Sequence, residues 1–232
     1  MRLLSTVCND IKIQFRSGFY GAYLFICILY ILIVRQIPIN YRAMGVFYVI
    51  FTDPSVLGFY FVGGLLLLER RQRTLSSLFI TPLRIREYII SKILSLSVLS
   101  LISSLLITFS LMGFNFNIVV LSLTVVLTSV LFTLIGITLG ARAKSINHYL
   151  FISPLYLLVT ILPVFSFLGL VNQYLFVFIP THSILNLLHF SIIGDKTGNL
   201  IFDLGMLILW IGITYFWAKN WFVKYIVNRT GN

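Results

Sequence analysis

Acidic residues are scarce in this chain. Six Asp and Glu stand against seventeen Lys and Arg, giving a formal net charge of +11, and charged residues of both signs fill only 10% of 232 positions. A soluble domain carries about 25% charged residues, so this balance excludes an ordinary soluble fold. Cysteine is nearly missing too: Cys8 and Cys27 are the only two, with no metal-ligand spacing and no disulfide framework. No G-x-x-x-x-G-K-[ST] phosphate loop is present, and Gly194 to Gly198 lacks its spacing, which excludes a nucleotide-driven motor within the chain. The long apolar runs are nearly free of ionisable groups. Asp53 and Asp203 fall near run ends, neither with an evident partner, and a proton- or ion-coupled carrier needs such groups at membrane depth. No serine–histidine pair or His/Glu/Asp cluster marks an intramembrane enzyme, so no catalytic or metal-binding residue is expected.

What the chain has instead is apolar length. Hydrophobic residues make up 59% of it, and mean hydropathy is +1.02. A bilayer core needs about 20 residues per helix. The runs predict an all-α polytopic membrane protein with six transmembrane helices, at about 18–35, 54–69, 90–113, 117–140, 149–171 and 200–218, in one domain over 1–232. The second run is short. Gly45 to Phe51 is also apolar, so that span has room to begin earlier, with a break at Asp53-Pro54 and Thr52 or Asp53 capping the restart.

Six spans put both termini on one side. That side gathers Arg2, Lys12, Arg16, Arg70, Arg71, Arg73, Arg84, Arg86, Lys92, Arg142, Lys144, Lys219, Lys224 and Arg229, leaving only Arg35, Arg42 and Lys196 opposite. The positive-inside rule makes the crowded side cytoplasmic. The expected location is the cell (cytoplasmic or inner) membrane, with both termini inside. Basic residues beside bilayer-length runs face lipid headgroups, so no nucleic-acid partner is expected. Residues 3–16 form an amphipathic pattern, with Leu4, Val7, Cys8, Ile11 and Phe15 on one face and Asn9, Lys12 and Arg16 opposite. That pattern predicts an interfacial helix rather than a removed signal peptide.

Between spans two and three runs ERRQRTLSSLFITPLRIREYIISK, residues 69–92. Thr81-Pro82 is a helix-start signal. Leu78, Leu83, Tyr88 and Ile89 supply apolar surface, while Arg84, Arg86, Glu87 and Lys92 supply the polar side. The plainer reading is a basic loop that only orients the protein. A membrane anchor that recruits partners through this loop, or an ion channel or secondary carrier, are alternatives on pattern alone.

The segment resembles the intracellular signature of permease subunits of type-2 ABC exporters. In that family a glutamate ends the second span, then come a Gly-Thr-Leu-Glu-like stretch, a Thr-Pro, a Glu-Tyr pair and a lysine opening the third span. Here Glu69, Thr74-Leu75, Thr81-Pro82, Glu87-Tyr88 and Lys92 hold those places, while Arg73 replaces the glycine and Ser76 the glutamate. Length, six spans and the N-terminal helix also agree.

The resemblance implies a cytoplasmic coupling helix between spans two and three. Glu69, Arg73, Thr74, Leu78, Thr81, Pro82, Arg84, Glu87, Tyr88 and Lys92 would couple to an ABC ATP-binding subunit, present in two copies. It also implies a second permease chain, identical or homologous. ATP and Mg would sit on the ATPase and no cofactor on this chain, which would move an amphiphilic drug, peptide or lipid outward. Short re-entrant helices between spans five and six are implied as well. Pro180 to Ile192 fits one, with Thr181 or Ser183 as its cap.

His182 and His189 lie seven apart without a carboxylate or cysteine ligand, so they are read as ordinary interfacial histidines. Pro154 and Pro163 are expected to bend or interrupt span five. Among 21 Phe and 12 Tyr, Phe59, Phe61, Phe165 and Phe167 are candidates for an aromatic substrate path. Gly63, Gly64, Gly136 and Gly140 are candidates for close helix packing.

Overall fold

The computed structural model describes residues 2–52, 56–72, 84–195 and 198–227. Among these the regular structure is helical throughout. The helices are α1 (Arg2–Arg16), α2 (Phe19–Arg35), α3 (Ile39–Thr52), α4 (Leu57–Arg71), α5 (Ile85–Met112), α6 (Ile118–Arg142), α7 (Ile146–Ile161), α8 (Val164–Phe167), α9 (Pro180–Ile193) and α10 (Leu200–Phe222). A 3₁₀ turn at Gln173–Phe176 precedes α9, and a π-type turn at Val223–Val227 ends α10.

Five stretches, one of them (Ile39–Arg71) joining described helices across residues 53–55, are long and apolar enough to cross a bilayer, or six if the bent pair α1–α2 counts as one span. The five are Ile39–Arg71, Ile85–Met112, Ile118–Arg142, Ile146–Phe167 and Leu200–Ile226. The chain is therefore a polytopic helical membrane protein. The second apolar run does begin earlier than residue 54, as α3, but Thr52 is not the cap of its second half. Thr52 closes α3, donating its hydroxyl to the Tyr48 carbonyl at 2.8 Å. Helix α4 starts at Leu57 with Val56 in the cap position. Asp53 and Pro54 lie outside the described residues.

Local chemistry sets several boundaries. The turn between α1 and α2 uses Gly18 at φ +79°, and the two helices meet at 65°; a left-handed residue there favours glycine. Asn117, Ser145 and Asn199 cap α6, α7 and α10 through their side-chain oxygens. At the head of α9, Pro180 occupies the first turn and Ile179 the cap position, without a side-chain bond. Thr181 and Ser183 lie inside this helix, so neither is the cap. Pro154 is accommodated within α7, and the helix gives way at Leu162–Pro163.

Helix α6 is the hub, packing on α4, α10, α5 and α9. Its closest approach is to α4, where glycine removes the side chains that would hold the backbones apart. A Cβ at Gly136 would stand 2.6 Å from the Phe59 carbonyl oxygen, and one at Gly140 would stand 3.1 Å from the Gly63 Cα. Many buried hydroxyls on α5 and α6 bond to carbonyls of their own helices, as Thr108 does to Ser104 and Thr138 to Leu134. Small polar residues thus enter the bundle with many of their hydroxyls paired within their own helices, although those of Thr128 and Thr133 on α6 find no partner among the described residues.

Candidate functional site: a buried ion cluster at the ends of the 73–83 segment

Helix α4 runs into residues 73–83 and α5 leads out of them. The last turns of α4 carry Glu69, and the first turns of α5 carry Tyr88 and Lys92. Position 92 is one helical turn beyond position 88, so their side chains lie on one face. That face is turned inward: Tyr88 and Lys92 are each 4% exposed.

A buried ammonium requires counter-charge, and Lys92 has two. Its Nζ lies 2.6 Å from Glu69 Oε1 and 2.7 Å from Asp10 Oδ1. The other oxygens of both carboxylates are also engaged. Tyr88 donates its hydroxyl to Glu69 Oε2 at 2.5 Å, and Ser91 donates to Asp10 Oδ2 at 2.8 Å. The ammonium also lies 5.4 Å from the centre of the Tyr88 ring. One turn further along α1, Gln14 donates to Ser95 of α5 at 2.9 Å. Three elements distant in sequence are therefore joined by charge-assisted bonds inside the protein: α1, the end of α4 and the start of α5.

This arrangement corrects one expectation. Lys92 is not on a solvated polar side but is the centre of the cluster. Helix α1 turns Asp10 and Gln14 inward, while Leu4 and Phe15 are 68% and 71% exposed. Asp10 went unread in the sequence. Its signal is visible afterwards as the one acidic residue of α1, with Gln14 a turn later on the same stripe.

The other loop residues are distributed differently. Glu87 accepts from the Arg84 backbone N–H at 2.9 Å, closing the first turn of α5. Arg84 and Arg86 are exposed. Arg70 reaches toward the Ala143 carbonyl, at 3.5 Å, beside the end of α6. Arg73, Thr74, Leu78, Thr81 and Pro82 lie outside the described residues.

The four candidate path phenylalanines fall into separate groups. Phe59 is fully buried and packs on Tyr149, whose hydroxyl donates to the Phe59 carbonyl. Phe61 stacks edge-on to Phe19 and Tyr23. Phe167 lies against Phe47, His182 and His189, and Phe165 is 42% exposed. Among the candidate packing glycines, Gly63 faces the Tyr149 ring, where a Cβ would stand at 2.1 Å. Gly64 faces open space.

His182 and His189 are buried within the protein, at 7% and 8% exposure. Asp203 is also buried and does have a partner: Asn186 donates to its two oxygens at 3.2 and 3.3 Å. Among the described residues no group of three His, Cys, Asp or Glu is placed to hold a metal ion.

An N-terminal helix clamped to the helices that flank residues 73–83, on a bundle of apolar spans, is the context in which relatives become informative. Residues 1–230 match the fluoroquinolones export permease protein family. The chain belongs to that family. Its relatives include fluoroquinolones export permease proteins from two Mycobacterium tuberculosis strains, CDC 1551 / Oshkosh and ATCC 25618 / H37Rv. Each is 25% identical over 236 residues, covering 99% of this chain and 98% of the relative. The family is one of ABC-2 type export permeases, so the chain is a membrane transport protein rather than an enzyme.

Proposed function

We propose that this chain is the transmembrane subunit of an ATP-driven exporter, powered by a separate cytoplasmic ATP-binding subunit through the 69–92 region. A working unit of two permease chains and two ATPases follows from that reading, with ATP and Mg held by the ATPases. The basic side of the bundle, with both termini, would face the cytoplasm. Helix α9, nearly all buried between α3, α6 and α10, would be the re-entrant element of the opposite side. The cargo class is an amphiphilic drug. The relatives' name supports a planar aromatic compound of the fluoroquinolone type.

The observation that carries this reading is the Asp10–Lys92–Glu69 cluster. A coupling loop transmits force only if its ends do not slide past the helices they join. Separating a buried ion from its partner costs about 3–5 kcal/mol, so the cluster makes α1, α4 and α5 move as a unit when residues 73–83 are pushed. Without it the push would be absorbed locally.

The test is ATP-dependent efflux in proteoliposomes holding the permease and its ATPase. Glu69→Gln and Asp10→Asn are each expected to lower coupled efflux at least tenfold while the chain still inserts and binds the ATPase. Thr81-Pro82→Ala-Ala is expected to abolish coupled efflux while the chain still inserts. Efflux unchanged in all three variants would sink the assignment. ATPase binding without any efflux by the wild-type chain would favour a recruiting anchor instead.

A further inference from the structure

All three tryptophans of the chain, Trp210, Trp217 and Trp221, line one cleft of about 400 Å³ on the flank of the bundle. Helices α6, α7 and α10 form it, with Ile135 and Val159 on the facing walls. Three threonines also reach it, yet none presents a free hydroxyl. Thr138, Thr160 and Thr214 each donate to carbonyls of their own helices, at 2.8 Å in each case. The threonine hydroxyls are thus spent, as is the Trp210 N–H on the Phe178 carbonyl, and the lining is chiefly hydrocarbon and aromatic ring, which suits an acyl chain better than a strongly polar guest. From Trp210 to Trp221 it spans eleven residues of helix, roughly 16 Å. One leaflet's hydrocarbon is about 15 Å deep.

The end of the cleft is charged. Arg142, at the end of α6, stacks its guanidinium 5.5 Å from the centre of the Trp221 ring. Trp221 continues into Tyr225 at 5.6 Å, and Lys224 lies over the Tyr225 ring. Neither cation forms an ion pair with a described carboxylate. A second cleft shares Leu139 and Tyr156 with the first and is lined by Arg142 and His148. An apolar slot one leaflet deep thus ends at Arg142, with Lys224 beyond it across the Trp221 and Tyr225 rings, and neither cation is ion-paired among the described residues.

We propose that this cleft is a binding site for an anionic phospholipid of the leaflet at the basic end of the bundle. One acyl chain lies along the tryptophan wall and the phosphate sits against Arg142 and Lys224. A zwitterionic lipid gains the apolar contact but not the net charge complementarity. The site is separate from the ion cluster of α1, α4 and α5.

Because every tryptophan lies at the cleft, intrinsic fluorescence reports on it directly. The full chain is reconstituted in phosphatidylcholine vesicles doped with acyl-brominated phosphatidylglycerol or acyl-brominated phosphatidylcholine, and quenching is followed against mole fraction. Each headgroup-facing cation is worth roughly fivefold in affinity. The anionic lipid is therefore expected to reach half-quenching at roughly 25-fold lower mole fraction. Arg142→Gln and Lys224→Gln should each lose roughly fivefold, the double variant should show no preference, and Arg142→Lys should retain it. Circular dichroism checks that each variant is folded. Equal quenching by both lipids in the folded wild-type chain would mean annular lipid only and would overturn the proposal. Absence of quenching by either lipid would also overturn it, and is the result that a second copy of this chain covering the cleft would give.

Discussion

Lys92 sets one positive charge between two carboxylates, so the cluster keeps an excess negative charge that Tyr88 and Ser91 share through their hydroxyls. Its members are therefore unequal. Lys92→Met leaves two buried carboxylates 

facing each other without a counter-ion, and is expected to cost about 3–5 kcal/mol. Tyr88→Phe removes a single bond to a charged group, at about 1.5–3 kcal/mol. Thermal unfolding of the purified chain in detergent checks both. The triple variant Asp10→Asn, Glu69→Gln, Lys92→Met should recover most of the Lys92→Met loss, because no charge is then left buried. If the triple variant is no more stable than Lys92→Met alone, charge imbalance is not what the cluster balances. Glu69, Tyr88 and Lys92 were each legible as landmarks of the 69–92 segment, but their mutual contact was not. Asp10 had no such landmark, since its partner lies 82 residues away and no local period links the two.

Between elements, the packing of α4 on α6 and α7 is decided by where glycine faces. Gly63 and Gly64 are neighbours in sequence but point to different surroundings: the Tyr149 ring for one, open space for the other. Gly63→Ala drives a methyl into that ring and is expected to destabilise by about 1–3 kcal/mol. Gly64→Ala should be neutral or slightly stabilising, since alanine restricts the unfolded chain without a clash. Equal effects in a melting experiment would refute the assigned faces. The elements themselves were largely readable. The spans expected at 117–140 and 200–218 correspond to Ile118–Arg142 and Leu200–Phe222, because long apolar runs leave the backbone no alternative to a helix in lipid. The start of α5 was less accurate: 90 was expected and Ile85 is observed. Hydropathy dips at Arg86 and Glu87, yet the helix continues through them because Glu87 closes its first turn.

For the whole molecule, the proposed orientation predicts which loops meet each solvent. On a Cys8→Ser background, with Cys27 buried, Asn115→Cys lies in the exposed turn between α5 and α6, and Lys144→Cys in the exposed turn between α6 and α7. A membrane-impermeant maleimide added to intact cells should label the first and spare the second until the cells are opened. The reverse pattern would invert the topology and place the 69–92 region away from any cytoplasmic ATPase. The same distribution of residues also bears on how the protein is made. Asp10 leaves the ribosome long before Lys92; at about 5–20 residues per second the interval is roughly 4–16 s. Glu69 joins it as a second unneutralised carboxylate during that wait. Until α5 emerges, the nascent chain is an unfinished charge arrangement, so truncations ending before Lys92 should be cleared by membrane quality control, and those that include it should begin to persist.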